Sequence, residues 1–456
     1  MSPSITLKSI EFSERRVPFQ HPFRFGAVTV NEAPQLFVHA TIEVGGRRST
    51  GAAAELMVPK WFNKDPDLSA DDTVDQLRQS AKIARNLYLG RNAPDTAFGL
   101  HAACNAAQLA HCGNAGIPAL AANFGAAEID KAILDALLRW QQTDFFTGMS
   151  NNVAGLDARL TPDLDETAIS DFLKDRKISP RIAVRYTIGI VDTLDSVREA
   201  RSKYRFFKIK LCGDFQKDRV RLTEIATLLG DSGYQATLDA NEQYQSVADL
   251  GALVKTLYAD EAITPLSLRL LYIEQPFARE NTWKFDLGPL ATKTAFIIDE
   301  ADDSYDAFPR ARALGYRGVS TKSCKGIYKS LINGARAALW MKAGGDFFIS
   351  AEDLTCQPGL AIQQDSALVA FHGLDHAERN GHHYVSGFAN TPAREAESFL
   401  AGHPDFYEKS NGIIQLAVHE GAVTTRSLAV AGFASAPHPG DVGPRYEKRY
   451  TKEHVT

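Results

Sequence analysis

The chain has 456 residues, of which 44% are hydrophobic and 23% are charged, a composition typical of globular proteins. The formal net charge is −5, and the lysines and arginines are scattered, so the sequence does not predict a surface for nucleic acid. No run approaches the ~18 apolar residues that a membrane-spanning helix needs. We therefore expect neither a nucleic acid nor a membrane as a partner.

The cysteines and the first residues indicate a compartment. The five cysteines are widely spaced and no C-x-x-C pair occurs, so we expect reduced thiols rather than a disulfide framework or a structural zinc site. The first residues, MSPSITLKSIEFSERR, lack the apolar run of a signal peptide. These features predict a cytoplasmic protein.

Residues 1–180 are predicted to form an α+β domain. ITLKSIEFSERRV and LFVHATIEVGG have the alternating or β-branched pattern of strands, and Gly45-Gly46 is a hairpin signal. Helices follow: DDTVDQLRQSAKIARNLYLG begins with capping aspartates, and AAEIDKAILDALLRWQQ has apolar residues at helical spacing. Strands followed by helices in this way are typical of an α+β unit.

Residues 181–385 are predicted to form a parallel barrel. Short apolar runs, such as IAVRYTIGIV, RFFKIKL, QATLDA and LLYIEQP, alternate with helical stretches as far as GDFFISAE. Repeated βα units predict a parallel sheet, and seven or eight units in about 200 residues favour closure into a barrel over a doubly wound sheet. Residues 386–456 contain GIIQLAVHEGAVTTRSL, which is strand-like and is predicted to return to the first domain.

Most of the apolar strands end in a charged residue. Because the carboxyl ends of barrel strands meet at one mouth, where the active site of such barrels lies, these residues should form a ring. For any single carboxylate among them, a role as a salt-bridge partner or a helix cap is the alternative. The ring residues are Lys208, Lys210, Asp239, Glu274, Asp299, Glu300 and Lys322.

Three carboxylates on successive strands predict a divalent metal site. Asp239, Glu274 and Asp299 would repel one another unless a cation compensates them. Oxygen ligands without His or Cys favour Mg²⁺ over zinc. Lys210 and Lys322 would approach this ring from opposite sides. Partial desolvation and a neighbouring cation lower the pKa of a lysine, so that it can act as a base; alternatively, each lysine is only a counter-ion.

Together these residues resemble the enolase superfamily, and within it the muconate-lactonizing-enzyme-like subgroup of the mandelate racemase/muconate lactonizing enzyme family. The matching pieces are KIK (208–210), DAN (239–241), EQP (274–276), DE (299–300) and the lysine of STKSCKG. The resemblance covers nearly the whole chain. It implies a (β/α)₇β barrel with an N-terminal α+β capping domain that is closed by the C-terminal tail.

The resemblance also implies a role for each residue of the site. Lys325 competes with Lys322 for the role of sixth-strand lysine, and we prefer Lys322 because it continues the apolar strand. The implied roles are Mg²⁺ ligation by Asp239, Glu274 and Asp299, acid/base chemistry by Lys210 and Lys322, assistance to the substrate carboxylate by Lys208, and orientation of Lys322 by Glu300.

The implied activity is Mg²⁺-dependent removal of a proton α to the carboxylate of a small-molecule substrate, through an enediolate intermediate. In such sites a metal ion stabilises the developing charge while a lysine accepts the proton. Two opposed lysines suit a racemase or epimerase, although a cycloisomerase or a β-eliminating lyase can use the same site. A metal-dependent hydrolase and a non-catalytic binding protein are also compatible with a barrel that carries these residues. We expect a homo-oligomer.

Some features depart from branches of this family. Strand seven ends in FFISAEDL without a His, which disfavours the mandelate-racemase and sugar-acid-dehydratase branches. Asp375 and Glu378 occur where dipeptide epimerases usually carry D-x-D, so an anchor of that type for an α-amino group is not expected.

Some residues are weaker candidates. His382 and His383 are adjacent in ERNGHH, so their side chains should diverge; they are candidates for substrate contact, with a solvated loop as the alternative. Nucleophilic use of Cys324 or Cys356 would need an adjacent base and is not expected. PFQHPFRFGAV and MVPKWFNKDP are candidate lids over the mouth, with irregular loops as the alternative.

Overall fold

The computed structural model describes residues 2–25, 28–230 and 233–444. No helix in these ranges has the length and the apolar character needed to cross a membrane. The chain begins with a three-stranded antiparallel sheet in which the second strand pairs with both neighbours. The turn between the second and third strands is the predicted Gly45-Gly46, at φ 55° and 80°. The strands are β1 (Thr6–Phe25), β2 (Val28–Val44) and β3 (Arg47–Leu56).

Helices pack on this sheet and complete the cap. The first begins at a capping box formed by Ser69 and Asp72. The third packs closely on β3 at Gly51, where a Cβ atom would lie 2.1 Å from the backbone nitrogen of Ala136, so this contact requires glycine. The helices are α1 (Ala70–Leu89), α2 (Ala97–Asn114), α3 (Ala119–Gln141), α4 (Phe145–Ser150) and α5 (Glu166–Lys174).

Eight parallel strands form a nearly closed barrel, which confirms the predicted fold class. Their hydrogen-bonded order is β10-β9-β8-β7-β6-β5-β4-β11. The strands are β4 (Arg181–Ile188), β5 (Phe206–Lys210), β6 (Gln235–Asp239), β7 (Leu270–Glu274), β8 (Phe296–Ile298), β9 (Gly318–Thr321), β10 (Phe348–Ala351) and β11 (His376–Glu378).

Helices connect the barrel strands, as βα units require. A 3₁₀ turn (Ser323–Lys325) follows β9 directly. The helices are α6 (Leu194–Lys203), α7 (Phe215–Leu229), α8 (Val247–Ala259), α9 (Thr264–Ser267), α10 (Arg279–Thr282), α11 (Gly288–Ala291), α12 (Ala307–Ala313), α13 (Ile327–Lys342) and α14 (Leu360–Phe371).

The tail contacts both parts of the molecule. The strand-like segment that we expected to return to the cap instead adds β14 (Ala422–Thr424) to the barrel, antiparallel to β4. The chain reaches the cap further along, where the backbone nitrogen of Phe433 donates to Asp135 at 2.7 Å. Before β14 lie α15 (Gly381–Tyr384), α16 (Ala393–Gly402), β12 (Tyr407–Ser410) and β13 (Ile413–Leu416).

Residues 57–64, which we call the roof segment, are fastened to the barrel by a buried arginine. Arg279 donates to the backbone oxygens of Phe62 at 2.8 Å and Trp61 at 3.0 Å. The same guanidinium group pairs with Glu242, 2.9 Å from Oε2. Because these groups are buried, each depends on its partners for the hydrogen bonds that water would otherwise supply.

A lysine of the roof segment completes this clamp. Lys64 forms an ion pair with Glu242, and its Nζ lies 3.0 Å from Oε1 of Glu300, the residue after Asp299. The Glu300 side chain is fully buried. Removing one partner of a buried ion pair commonly costs about 3–5 kcal/mol, so we expect the clamp to hold the roof segment firmly.

A second buried charge cluster joins the cap to the barrel. Lys131 of α3 lies 3.4 Å from Oε2 of Glu55 and 2.9 Å from Oε1 of Glu128. On the barrel side, Sγ of Cys356 is 4.0 Å from Oε1 of Glu55. Two carboxylates therefore share one ammonium group. Burial raises the pKa of Glu55 to about 8; Lys131 opposes this shift and Glu128 adds to it.

We predict that Arg279→Gln loosens the roof segment, because the variant removes the donors to two backbone oxygens. Hydrogen exchange of peptides covering residues 57–64 should become faster, while exchange in the barrel strands should not change. The matched control is Arg219→Gln, at an ion pair with Asp260 in which Arg219 is 51% exposed; such pairs contribute about 0–1 kcal/mol. Unchanged exchange in the Arg279 variant would contradict the clamp.

We also predict that Glu55 makes stability depend on pH. The folded pKa of about 8 exceeds the unfolded value of about 4.3, so the folded state binds an extra proton between these values. The Glu55 contribution to stability therefore falls as pH rises through this window, by at most about 1.4 kcal/mol per pH unit. Glu55→Gln should remove this dependence.

The measurement is the melting temperature of Glu55→Gln relative to wild type between pH 5 and pH 8. The difference should shift in favour of the variant as pH rises. Glu397→Gln, at an exposed ion pair with Lys409, is the matched control. A difference that stays constant across this range would rule out the shifted pKa.

Candidate active site

Two lysines meet at the mouth of the barrel from opposite sides. Nζ of Lys210, at the end of β5, is 2.6 Å from Oδ2 of Asp239. Nζ of Lys322, directly after β9, is 2.5 Å from Oδ2 of Asp299. Strands β5 and β9 are four positions apart in the order of eight, which places them across the barrel from each other. Each predicted acid/base lysine is thus held by one predicted metal ligand.

The carboxamide of Gln275 fixes the ends of two neighbouring strands. Its Oε1 accepts hydrogen bonds from the backbone nitrogens of Asp299 at 2.8 Å and Ala301 at 3.1 Å. Its Nε2 donates to the oxygen of Phe277 and to Oγ1 of Thr282. Gln275 has φ 34°, a left-handed conformation that non-glycine residues adopt rarely. The EQP motif therefore sets where the chain leaves β7 and where Asp299 lies.

Lys208 lines the mouth together with Lys210 and Lys322, so its predicted assistance to a substrate carboxylate stays a prediction. Its ammonium group donates to Oε1 of Glu274 at 2.9 Å, Oε2 of Glu352 at 2.8 Å and Oε2 of Glu378 at 2.9 Å. Asp239 Oδ2 is also 2.9 Å away. A lysine has only three N–H donors, so all three are in use. Burial opposes its charge, but these four acids raise the pKa of Lys208 well above its usual value.

The structure separates the two candidate lysines of STKSCKG. Lys322 lines the mouth, whereas Lys325 lines a different cavity of about 450 Å³ between the cap and α13. Lys325 donates to the backbone oxygen of Asp299 at 3.0 Å and pairs with Asp302 at 3.1 Å. None of the three predicted metal ligands lines the larger cavity, whereas Asp239 and Asp299 line the mouth, so we place the candidate site at the mouth.

Lys322 is an ammonium group in this arrangement. Burial lowers its pKa, but Asp299 more than reverses that effect, and the pKa of Lys322 lies above its usual value. The lowered pKa that we expected beside a bound metal ion stays a prediction, and the contact of the amine with a carboxylate matches the counter-ion alternative. The ring of Trp61 adds to the charge stabilisation, with its centroid 4.3 Å from Nζ.

Glu300 does not have the predicted contact with Lys322. Its ion-pair partner is Lys64 of the roof segment, so it serves the cap clamp, while Asp299 holds the catalytic candidate. Residues 299 and 300 lie in a bend and turn that follow β8, and from there the Glu300 side chain reaches Lys64 of the roof segment.

Two further carboxylates belong to the site and were not assigned to it from the sequence. Glu352 follows β10 and Glu378 ends β11, and both contact Lys208. They obey the same strand-end rule that identified the ring of charged residues, so that rule could have found them. Arg185 of β4 lies 2.7 Å from Oε1 of Glu352, which places a charged layer below the mouth.

The three predicted ligands fit a divalent cation in their chemistry. No three His, Cys, Asp or Glu side chains of the described ranges already form a metal-binding group. However, Oε2 of Glu274 is buried and accepts no hydrogen bond, although Nζ of Lys208 is 2.9 Å away. Burial, Asp239 and Glu352 raise the pKa of Glu274 well above its usual value. Its charge is therefore incompletely compensated, and oxygen donors of this kind suit Mg²⁺.

Cap residues close the mouth. Phe23 of β1, and Val58 and Trp61 of the roof segment, lie over Lys210 and Lys322. The remaining space is about 20 Å³, which is close to the volume that one water needs. A carboxylate substrate therefore requires cap residues to move. Both predicted lid stretches supply these residues, and Gly26 and Ala27 of the first stretch lie outside the described residues.

The weaker histidine and cysteine candidates do not line the mouth. The rings of His382 and His383 do not diverge as expected but pack together, with centroids 4.0 Å apart. Burial lowers the pKa of His382 to about 4. Burial raises the pKa of Cys324 and of Cys356 well above the usual thiol value. Neither thiol therefore has the character of a nucleophile.

Comparisons with known proteins identify the fold. No family model matches the sequence, and no curated protein matches it either. Among solved structures, a mandelate racemase/muconate lactonizing protein from Herpetosiphon aurantiacus is 18% identical with a TM-score of 0.60, covering 94% of this chain and 98% of its own. The L-Ala-D/L-Glu epimerase from Bacillus subtilis is 16% identical with a TM-score of 0.60, covering 95% and 98%.

A third similar structure contains a metal ion. The dipeptide epimerase from Enterococcus faecalis V583, complexed with Mg and the dipeptide L-Leu-L-Tyr, is 15% identical with a TM-score of 0.57, covering 94% of this chain and 99% of its own. The resemblance predicted from the sequence motifs is thus confirmed for the fold. The chain has the fold of the mandelate racemase/muconate lactonizing proteins and of the wider enolase superfamily.

Proposed function

We propose that the protein is a Mg²⁺-dependent racemase or epimerase that moves a proton α to the carboxylate of a small-molecule substrate. The observation that carries the proposal is the pair Lys210 and Lys322, which reach one mouth from opposite strands. A lysine on each side of a carbon atom can remove a proton from one face and return one to the other. That arrangement inverts the configuration.

Asp239, Glu274 and Asp299 would hold the Mg²⁺. When bound, the ion supplies positive charge against the negative charge that develops on the substrate carboxylate. The aspartates also orient the lysines, because Asp239 pairs with Lys210 and Asp299 pairs with Lys322. The same ion pairs therefore position the proposed metal ligands and the proposed acid/base lysines.

The roof segment contributes by keeping water away. Val58 and Trp61 present apolar surface to the lysines, and electrostatic interactions are stronger where water is excluded. The face of Trp61 stabilises Lys322 as an ammonium group, which suits a proton donor. For the enantiomer whose α-proton faces Lys210, that lysine is the base and Lys322 the donor; for the other enantiomer the roles exchange.

Similar structures support a racemase or epimerase reaction, since two of them are epimerases by name. Cycloisomerisation and β-elimination begin with the same deprotonation and differ in the fate of the intermediate. They need one base, whereas two opposed lysines favour inversion. Racemisation or epimerisation is therefore the proposal, with cycloisomerase or lyase activity as the second candidate.

We predict exchange of the α-proton in D₂O. A panel of carboxylic acids, incubated with the protein and Mg²⁺, should contain a substrate that gains α-deuterium and changes configuration. Lys210→Ala and Lys322→Ala should each lower the rate of inversion by roughly 10²–10⁴-fold, the usual contribution of a general acid or base. Each variant should still exchange the proton of the one enantiomer that faces its remaining lysine. Mass spectrometry and chiral chromatography provide the readouts.

Lys217→Ala is the control for this experiment, because Lys217 is 77% exposed on α7. It should leave inversion and exchange unchanged. Exchange that continues without Mg²⁺, or in a variant lacking both lysines, would contradict the mechanism. Exchange without inversion in the wild type would favour the lyase or cycloisomerase candidate.

A further inference from the structure

Lys208 occupies a cage of four carboxylates at the centre of the barrel. Three of them accept its hydrogen bonds and the fourth, Asp239, lies at 2.9 Å. The side chain of Lys208 is 1% exposed. Desolvated ammonium groups need such compensation, and two members of the cage also pair with other cations, Asp239 with Lys210 and Glu352 with Arg185.

Two members of the cage are proposed metal ligands. Nζ of Lys208 lies within 2.9 Å of Oδ2 of Asp239 and of both oxygens of Glu274. A divalent cation ligated by these oxygens would lie close to the ammonium group and be repelled by it. The lysine and the ion therefore compete for the same oxygen atoms.

The other two members of the cage are held by groups other than the metal ligands. Oε1 of Glu352 accepts hydrogen bonds from Arg185 at 2.7 Å and from Tyr272 at 2.8 Å. Oε1 of Glu378 accepts one from Thr187 at 2.7 Å. In both acids, Oε2 remains to face Lys208. These two acids can keep the ammonium group compensated while Asp239 and Glu274 turn to an ion.

We propose that Lys208 is a built-in competitor of the divalent cation and that Glu352 and Glu378 are positioning residues that hold it aside. The inference rests on the metal site of the proposed function. It gives Lys208 a role in setting the affinity for the ion, in addition to the expected contact with substrate. Glu352 and Glu378 strengthen ion binding without ligating the ion.

Calorimetric titration of the full chain with Mn²⁺ as the probe tests this inference. Relative to wild type, Lys208→Met should lower the Kd by about tenfold, equivalent to about 1.4 kcal/mol. Glu378→Gln should raise the Kd by about threefold or more, because the ammonium group then turns toward Asp239 and Glu274. In the Lys208→Met background the same change should alter the Kd by less than about twofold, since coupled residues are non-additive.

The matched control is Glu55→Gln, a buried Glu-to-Gln change at the cap interface that should leave the Kd unchanged. If Lys208→Met does not fold, Lys208→Gln serves as the background for the same comparison: an effect of Glu378→Gln that disappears there supports the proposal, and one that persists overturns it. An equal effect of Glu378→Gln in both backgrounds also overturns it, because that result indicates only a through-space charge effect.

The outcomes separate this inference from the proposed function. Mn²⁺ binding with the same Kd in wild type and all variants would overturn the role of Lys208 and leave the metal site in place. Binding that appears only after Lys208→Met would support the competition directly. An absence of Mn²⁺ binding in every variant would overturn both the inference and the proposed metal site.

Discussion

The architecture depends on compensating charges that folding removes from water. At the mouth, Asp239 pairs with Lys208 and Lys210, and Asp299 pairs with Lys322 and Lys325. Each aspartate thus serves two lysines. A buried charge without a partner is costly, so these pairs can exist only because the barrel brings strand ends together. The ring of charges and the closure of the barrel therefore require each other.

The same constraint explains how the cap is attached. Glu242 and Glu300 are buried at the rim of the barrel, and cap residue Lys64 supplies positive charge to both. Arg279 adds hydrogen bonds to the backbone of the roof segment. The cap is thus held at two buried acids of the barrel, Glu242 and Glu300, and its apolar residues come to lie over the lysines. Attachment of the cap and exclusion of water follow from one set of ion pairs.

Strand periodicity and the positions of strand ends are the features that the sequence predicts well. The sequence predicts the barrel, the ring of charges and the approach of Lys210 and Lys322 from opposite sides. These features follow from spacing along the chain, because spacing decides the direction of side chains in a strand. Ion pairs between residues far apart in the chain could not be predicted in this way: Glu300 contacts Lys64, which lies 236 residues away. The close approach of Asp299, which raises the pKa of Lys322, could not be predicted either. Glu352 was overlooked although it obeys the strand-end rule.

The charged layer beneath the mouth has a consequence for the proposed catalysis. Barrel interiors are usually filled by layers of branched apolar side chains, yet here Arg185, Glu352 and Lys208 lie within the barrel, joined by ion pairs. Such a layer stabilises the fold less than apolar packing would, because its charges are desolvated. However, this layer fixes the electrostatic field around the proposed metal ligands before any substrate binds. Charges that are already oriented need no reorganisation when charge develops on a substrate, and this preorganisation is the largest electrostatic contribution that a protein makes to such reactions.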